Sequence, residues 1–297
     1  MKLVTFSPLP SGAPRSGILL DDARVLDIPA ATGADPAFAS MLAIIRAGAP
    51  ALERLRALAA KPPAGAPALA EVRLHAPIPR PAKNVFCVGW NYLEHFEEGA
   101  KKLQDNRELP QWPVFFSKAA TAVNGPYDPI PFDAAISTSL DWEVELGVVI
   151  GTGGKNIAQA DAMRHVFGYT VVNDVSWRDL QRRHGGQWHK GKSLDGTCPM
   201  GPAIVTADSL DPRDLRVTCR VNGVTKQDSR TKFLYFKIER LIADLSLGMT
   251  LEPGDIISTG TPEGVGFARN PPEFMKPGDL LETEIEGIGI LRNPVGG

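Results

Sequence analysis

The segment Asp141-Trp142-Glu143-Val144-Glu145-Leu146 sets three acidic residues at alternate positions. On a strand, side chains alternate between faces, so Asp141, Glu143 and Glu145 would share one face and Trp142, Val144 and Leu146 the other. Such alternation is most often a solvated face. Here, however, three neighbouring like charges repel unless something positive lies between them, and the run continues into the apolar GVVIG, which points to burial. A hard divalent cation answers both conditions, because carboxylate oxygens are natural ligands of Mg²⁺, Mn²⁺ and Ca²⁺. No His/Cys set at zinc spacing competes. Asp174 is the candidate for a further ligand. It follows the strand-like YTVVN and precedes SWRDLQRR, which reads as a helix start, so a helix cap is its alternative role. Asp179 is spaced against Arg182 and Arg183 as a surface helix pair.

His95, in NYLEHFEE, is the candidate general base. Glu98, three residues on, would share a helix face with it and orient and support the imidazole. Glu94 and Glu97 compete as partners, and a surface histidine in a charged helix is the ordinary alternative. Residues 96–112 are polar and contain a glycine, as a lid that orders over substrate would be. Lys192, between Gly191 and Ser193 and close to Gly196, is the candidate partner for an oxyanion or carboxylate, since the glycines permit close backbone approach. TGTPEGVG lacks the spacing of a phosphate loop. His75 and His165 read as structural. His184 and His189 flank Gly185-Gly186 ahead of Lys192 and carry little weight.

These residues need a scaffold. From Val85 onward, NVFCVGW, PVFFSK, DWEVELGVVIG, FGYTVVNDVS, AIVTAD, LRVTCRVNG, DIISTG and LLETEIEGIGIL read as strands. VNGVTK carries a hairpin signal. Besides the stretch around His95, a few helices interrupt them, at DAMRHVF, WRDLQRRHG and LIADLSLGM, too few for a doubly wound sheet or a (β/α)₈ barrel. Residues 1–75 read as a small α/β domain. It has short strands at LVTF, GILL and ARVLDI, a helix through Phe38, Met41, Leu42, Ile44 and Ile45, and a second through Leu52, Leu55 and Leu58. KPPAGAPALA, 61–70, is a connector. Residues 76–297 form the larger, strand-rich domain, and the fold class is α+β.

The chain has 297 residues with 32 Lys+Arg against 34 Asp+Glu, a formal net charge of −2. That balance argues against a nucleic-acid binder or a polybasic membrane anchor. No apolar run is long enough for a bilayer, and Pro8 and Pro10 interrupt any signal-peptide core. Cys87, Cys198 and Cys219 are odd in number and widely spaced, as expected of buried, reduced thiols in a cytoplasmic protein.

Six motifs, NVFCVGWNYLEHFEE, PVFFSKAATAV, DWEVELGVVIG, GYTVVNDVSWRDLQ, GKSLDGTCPMGP and TGTPEGVG, occur in the order found in the fumarylacetoacetate hydrolase (FAH) family. The chain resembles that family over roughly residues 80–290. The 1–75 unit resembles the N-terminal extension of longer bacterial members, not the larger N-terminal domain of the animal hydrolase. The resemblance implies a mixed β-sandwich roll, usually a homodimer. It places metal ligands at Glu143, Glu145 and Asp174, with Mg²⁺ or Mn²⁺ as the ion. The animal hydrolase's further Asp ligand has no counterpart here, which leaves that position to water, and Asp141 is not a usual ligand. The family's His-Glu pair falls on His95 and Glu98, its site lysine on Lys192, and its substrate-binding residues on Lys118, Gln181 and Thr261. Gln181 lies seven residues beyond Asp174, two helical turns on if the stretch is helical.

The chemistry so implied starts from a 2-oxo acid whose carbonyl is polarised by the ion. The expected activity is hydrolysis of a C–C bond in a 2,4-dioxo acid, such as an acylpyruvate, a fumarylpyruvate or a diketo sugar acid, with His95–Glu98 activating water. The alternative is oxaloacetate-type decarboxylation, or isomerase, hydratase or lyase work on a 2-oxo acid at the same site.

Overall fold

The computed structural model describes residues 1–21, 23–104 and 108–296. Residues 105–107 of the segment expected to form a lid lie outside the described residues.

The apolar run after Glu145 becomes the centre of a sheet because both of its faces are covered. Val144–Ile150 is buried along its whole length. It pairs antiparallel with Val166–Asn173 on one side and Ile256–Ser258 on the other. Beyond Ile256–Ser258 lie Val85–Gly89, parallel to it, and Val114–Lys118 at the edge. Beyond Val166–Asn173 lies Cys198–Thr206, and next to that Lys2–Pro8, Arg15–Leu20 and Arg24–Asp27. With Val72–His75 against Lys2–Pro8 and Val123–Asn124 against Cys198–Thr206, the sheet has 11 strands among the described residues. The strands of residues 1–75 thus extend the same sheet as those of 76–297.

Alternate residues feed opposite cores. Val88, Val148, Val171, Val205 and Ile257 pack on one face with Leu241, Ile242 and a second, four-stranded sheet. Cys87, Val149, Val172, Ile204 and Ile256 pack on the other with Phe38, Ile44, Ile45 and Leu55. Each such fully buried aliphatic side chain contributes about 1.5–3 kcal/mol relative to exposure. The helical segment Met41–Ala60 is broken at Gly48, whose φ of 64° divides it into the two expected helices. The four-stranded sheet runs Val224–Arg230, Arg216–Val221, Leu280–Ile285 and Gly289–Pro294. Its first hairpin turns at Asn222-Gly223, both with positive φ, as that dipeptide favours. DAMRHVF is not α-helical: Gln159–His165 is a 3₁₀ segment leading into a strand. The strand-rich α+β class is the observed one. Among the described residues no helix is long and apolar enough to cross a membrane.

Candidate active site

Glu143 does not sit on the strand that carries Glu145. The ladder stops between Leu140–Asp141 and Val144–Ile150. There, side chains replace strand partners: the Glu143 N–H donates to Asn173 Oδ1 (3.0 Å) and the Val144 N–H to Gln227 Oε1 (3.0 Å). Asp174 closes the gap, its N–H donating to the Glu143 carbonyl at 2.8 Å. The result is a buried cluster in which Glu143, Glu145 and Asp174 each offer a carboxylate oxygen within 4.8 Å of the others. Asp141 takes a different part. It accepts from the N–H groups of Trp142 (2.8 Å), Gly266 (2.7 Å) and Phe267 (3.0 Å) and from Arg178 Nε (2.7 Å). A Cβ on Gly266 would lie 2.6 Å from that carboxylate, so only glycine fits.

The positive charge that the acidic run demands is partly built in. Arg178 Nη2 lies 2.7 Å from Glu143 Oε1. Lys192 Nζ donates to Glu143 Oε2 (2.6 Å) and Asp174 Oδ2 (2.8 Å). Lys118 Nζ donates to Asp174 Oδ1 (2.8 Å) and the Val175 carbonyl (2.9 Å). Burial alone would raise the Glu143 carboxyl, but Lys192, Arg178 and His95 together bring it down to about 2. Lys192 is pulled down by burial and raised on balance by Asp174 and Glu143, so it stays charged. Glu145 differs. It accepts from the Ser258 hydroxyl (2.6 Å) and the Gly260 N–H (2.9 Å) but has no cation paired with it among the described residues. Burial, then the negative charges of Asp174 and Glu143, push it well above the usual carboxylate range. Hard oxygen donors converging from three chain positions, one of them without a counter-charge, fit a divalent cation.

Lys118 does not line the cavity above this cluster. It stands wholly buried behind Asp174. Lys118→Met should therefore act first on stability. It leaves a buried carboxylate short of a partner and should cost about 3–5 kcal/mol. Urea denaturation of the metal-free protein checks this, and a cost below about 1 kcal/mol would contradict the pairing.

The cavity, about 250 Å³, is lined by His95, Glu143, Glu145, Gln181, Lys192 and Thr261 among others. His95 lies on the helix Leu93–Leu103, and of the three candidate partners the fold selects Glu98. The Nδ1–H donates to Glu98 Oε1 at 2.8 Å, and Glu98 Oε2 accepts from the Gly264 N–H at 2.9 Å. The carboxylate is fixed at both ends, which sets the imidazole tautomer and leaves Nε2 as the basic nitrogen. Thr261 Oγ1 accepts from Gln227 Nε2 (2.8 Å), so its own O–H is free to donate. Gly191 brings Lys192 close because a Cβ there would fall 2.2 Å from the Gln181 nitrogen.

Several sequence expectations are corrected. Asp174 is not a helix cap, since Trp177 occupies that position of Arg178–Arg183 without a side-chain bond. Gln181 does line the cavity, but not two helical turns from Asp174, because Ser176–Trp177 is a strand. Asp179 pairs with Arg183 (3.4 Å), not Arg182, and accepts from Ser137 (2.5 Å). His184 and His189 do not line the cavity. Arg178 was missed altogether, as were Phe267 and the aromatic wall of Trp90, Phe116 and Trp188. One signal for Arg178 did exist. A cation in the first turn of a helix opposes the helix dipole and calls for a carboxylate nearby.

With this geometry in hand, the relatives are informative. Residues 84–296 match the family model described as fumarylacetoacetate (FAA) hydrolase, C-terminal. The oxaloacetate tautomerase YisK of Bacillus subtilis (strain 168) is 42% identical over 292 residues, spanning 94% of this chain and 95% of that protein. Among solved structures, a fumarylacetoacetate hydrolase from the psychrophilic Exiguobacterium antarcticum superposes with a TM-score of 0.84 at 39% identity, covering 100% of this chain and 99% of that one. Maleylpyruvate hydrolase from Sphingobium sp. SYK-6, in complex with manganese(II) and pyruvate, superposes with a TM-score of 0.79 at 33% identity, covering 100% and 99%. The chain therefore belongs to the fumarylacetoacetate hydrolase family of enzymes.

Proposed function

We propose that this enzyme is a divalent-metal-dependent tautomerase of oxaloacetate, interconverting the keto and enol forms of that 2-oxo dicarboxylic acid. The observation that carries the reading is the His95–Glu98 pair beside the cavity lined by Glu143, Glu145 and Lys192, with Asp174 completing the buried carboxylate cluster. The name of the Bacillus subtilis relative supports the choice of reaction. Glu143, Glu145 and Asp174 would hold Mg²⁺ or Mn²⁺, the second being the ion of the Sphingobium complex. When bound, such an ion supplies a Lewis acid that draws electron density from the C2 carbonyl and lowers the cost of negative charge on its oxygen.

The chain's own groups do the rest. His95 Nε2 takes a proton from C3, the C3–H electrons form the C2–C3 double bond, and the carbonyl π electrons move to oxygen. Lys192, charged and buried, donates a hydrogen bond or a proton to that oxygen. When Lys192 gives its proton the enol forms and leaves His95 protonated and Lys192 neutral; His95 then loses a proton to solvent and Lys192 regains one, so a turnover leaves no net proton or electron behind. The Thr261 hydroxyl holds the C1 carboxylate. General acid–base work of this kind typically contributes 10²–10⁴-fold.

A second reading is hydrolysis of a C–C bond in a 2,4-dioxo acid. It is favoured by the same His95–Glu98 pair, which could activate water, and by the similarity to the Sphingobium maleylpyruvate hydrolase. One experiment separates these. The enzyme is given enol-oxaloacetate and, separately, acetylpyruvate, with Mg²⁺ or Mn²⁺ and then with EDTA. Loss of the enol absorbance should accelerate at least about 100-fold over buffer, and EDTA should abolish the gain. Metal-dependent pyruvate and acetate from acetylpyruvate, without enol turnover, would replace the tautomerase by the hydrolase. Pyruvate and CO₂ formed from oxaloacetate in step with enol loss would make it a decarboxylase.

A further inference from the structure

Three cations line the cavity: Arg178, Lys192 and Arg182. The first two are spent on the protein. Arg178 uses Nε on Asp141, Nη1 on Gln181 (3.1 Å) and Nη2 on Glu143. Lys192 is held between Glu143 and Asp174. Arg182, one helical turn beyond Arg178, has no carboxylate partner among the described residues. The nearest acid in sequence, Asp179, is taken by Arg183 and Ser137. Arg182 is not loose, however. Its guanidinium lies 5.1 Å from the centre of the Phe267 ring, and Arg178 lies 4.6 Å from the same ring. Phe267 is itself pinned through its N–H to Asp141. The lining also includes Trp90, Phe116, Trp188 and Leu103, which offer no negative charge, and its acids, Glu143 and Glu145, belong to the metal-ligand cluster.

A guanidinium that is positioned, faces a cavity and lacks a counter-ion is a carboxylate receptor, since Arg presents a planar fork matched to that group. We infer that Arg182 is the specificity-determining residue of this site, binding a second carboxylate at the end of the substrate remote from the metal ligands. The assignment rests on the functional reading above and deepens it: the preferred substrates are 2-oxo dicarboxylates, and 2-oxo monoacids are handled poorly. Arg182 is exposed overall; partial desolvation of its guanidinium, and then the adjacent Arg178, disfavour its charge, a cost that an incoming anion removes.

The test compares oxaloacetate with its monoacid analogue 2-oxobutyrate, following deuterium exchange at C3 by NMR with the diamagnetic Mg²⁺ present. In the wild type, oxaloacetate should have the higher kcat/KM. Arg182→Gln should raise KM for oxaloacetate roughly 10- to 100-fold, the worth of a hydrogen bond to a charged group, with kcat changed far less. The ratio of kcat/KM between diacid and monoacid should collapse by the same factor, and Arg182→Lys should restore part of it. Equal losses on both substrates, or a loss confined to kcat, would overturn the role of Arg182 while leaving the tautomerase intact. A wild type silent on both substrates would overturn the functional reading and this assignment with it.

Discussion

Replacing His95 with Asn should lower kcat for enol-oxaloacetate by roughly 10²–10⁴-fold, the usual contribution of a positioned general base. Calorimetric titration with Mn²⁺ should show near-normal binding, because His95 lies outside the three-carboxylate cluster. The Glu98→Gln change should be milder. An amide oxygen can still accept from Nδ1–H, but it gives less support to the imidazolium formed when Nε2 takes a proton. A His95→Asn enzyme within tenfold of wild type would remove the imidazole from the mechanism. Parallel loss of metal binding would instead assign it to holding the site together.

The second large effect concerns Glu145. In the metal-free protein this carboxylate is buried beside two others and has no ion-pair partner among the described residues. Glu145→Gln should leave the metal-free melting temperature unchanged or higher, since it removes a carboxyl whose ionisation is disfavoured there while the amide oxygen still accepts from Ser258 and Gly260. The same change should weaken Mn²⁺ binding by at least about 100-fold, because even groups that only orient a ligand are worth 10–100-fold. At a metal concentration of about a hundred times the wild-type Kd, the wild type should gain about 2.7 kcal/mol and the variant nearly none. Thermal melts with and without Mn²⁺ check both halves. A variant destabilised without metal, yet still stabilised by it, would place the ion elsewhere.

Local pattern made much of this legible. The unbroken apolar run after Glu145 marked a buried strand, and the His-x-x-Glu spacing marked a pair that the helix brings to 2.8 Å. What pattern could not show is what happens where local rules are suspended. The ladder breaks at Trp142-Glu143 because Asn173 and Gln227 bond the backbone there, and Gln227 is 84 positions away from Glu143 in sequence. Arg178 neutralises Asp141 and Glu143 from the start of a helix that the strand motif does not announce. The resemblance assigns Lys118 to the substrate, but its position along the chain says nothing of which side of Asp174 it approaches. Each of these depends on contacts distant in sequence, and each lies where charge, not burial of apolar surface, decides the geometry.

The sheet has a consequence for how the protein is made. Lys2–Pro8 hydrogen-bonds on one side to Arg15–Leu20, which follows it almost at once, but Lys2 and Leu3 pair on the other side with Val205 and Ile204. During synthesis at about 5–20 residues per second, that partner emerges roughly 10 to 40 s later. The early hairpin must wait beside the ribosome with one edge open, and Val72–His75 arrives in the interval to cover only the stretch from Thr5 to Pro8. Closing the sheet is thus a late event in the life of the nascent chain, and the open edge is where a chaperone would find its first hold.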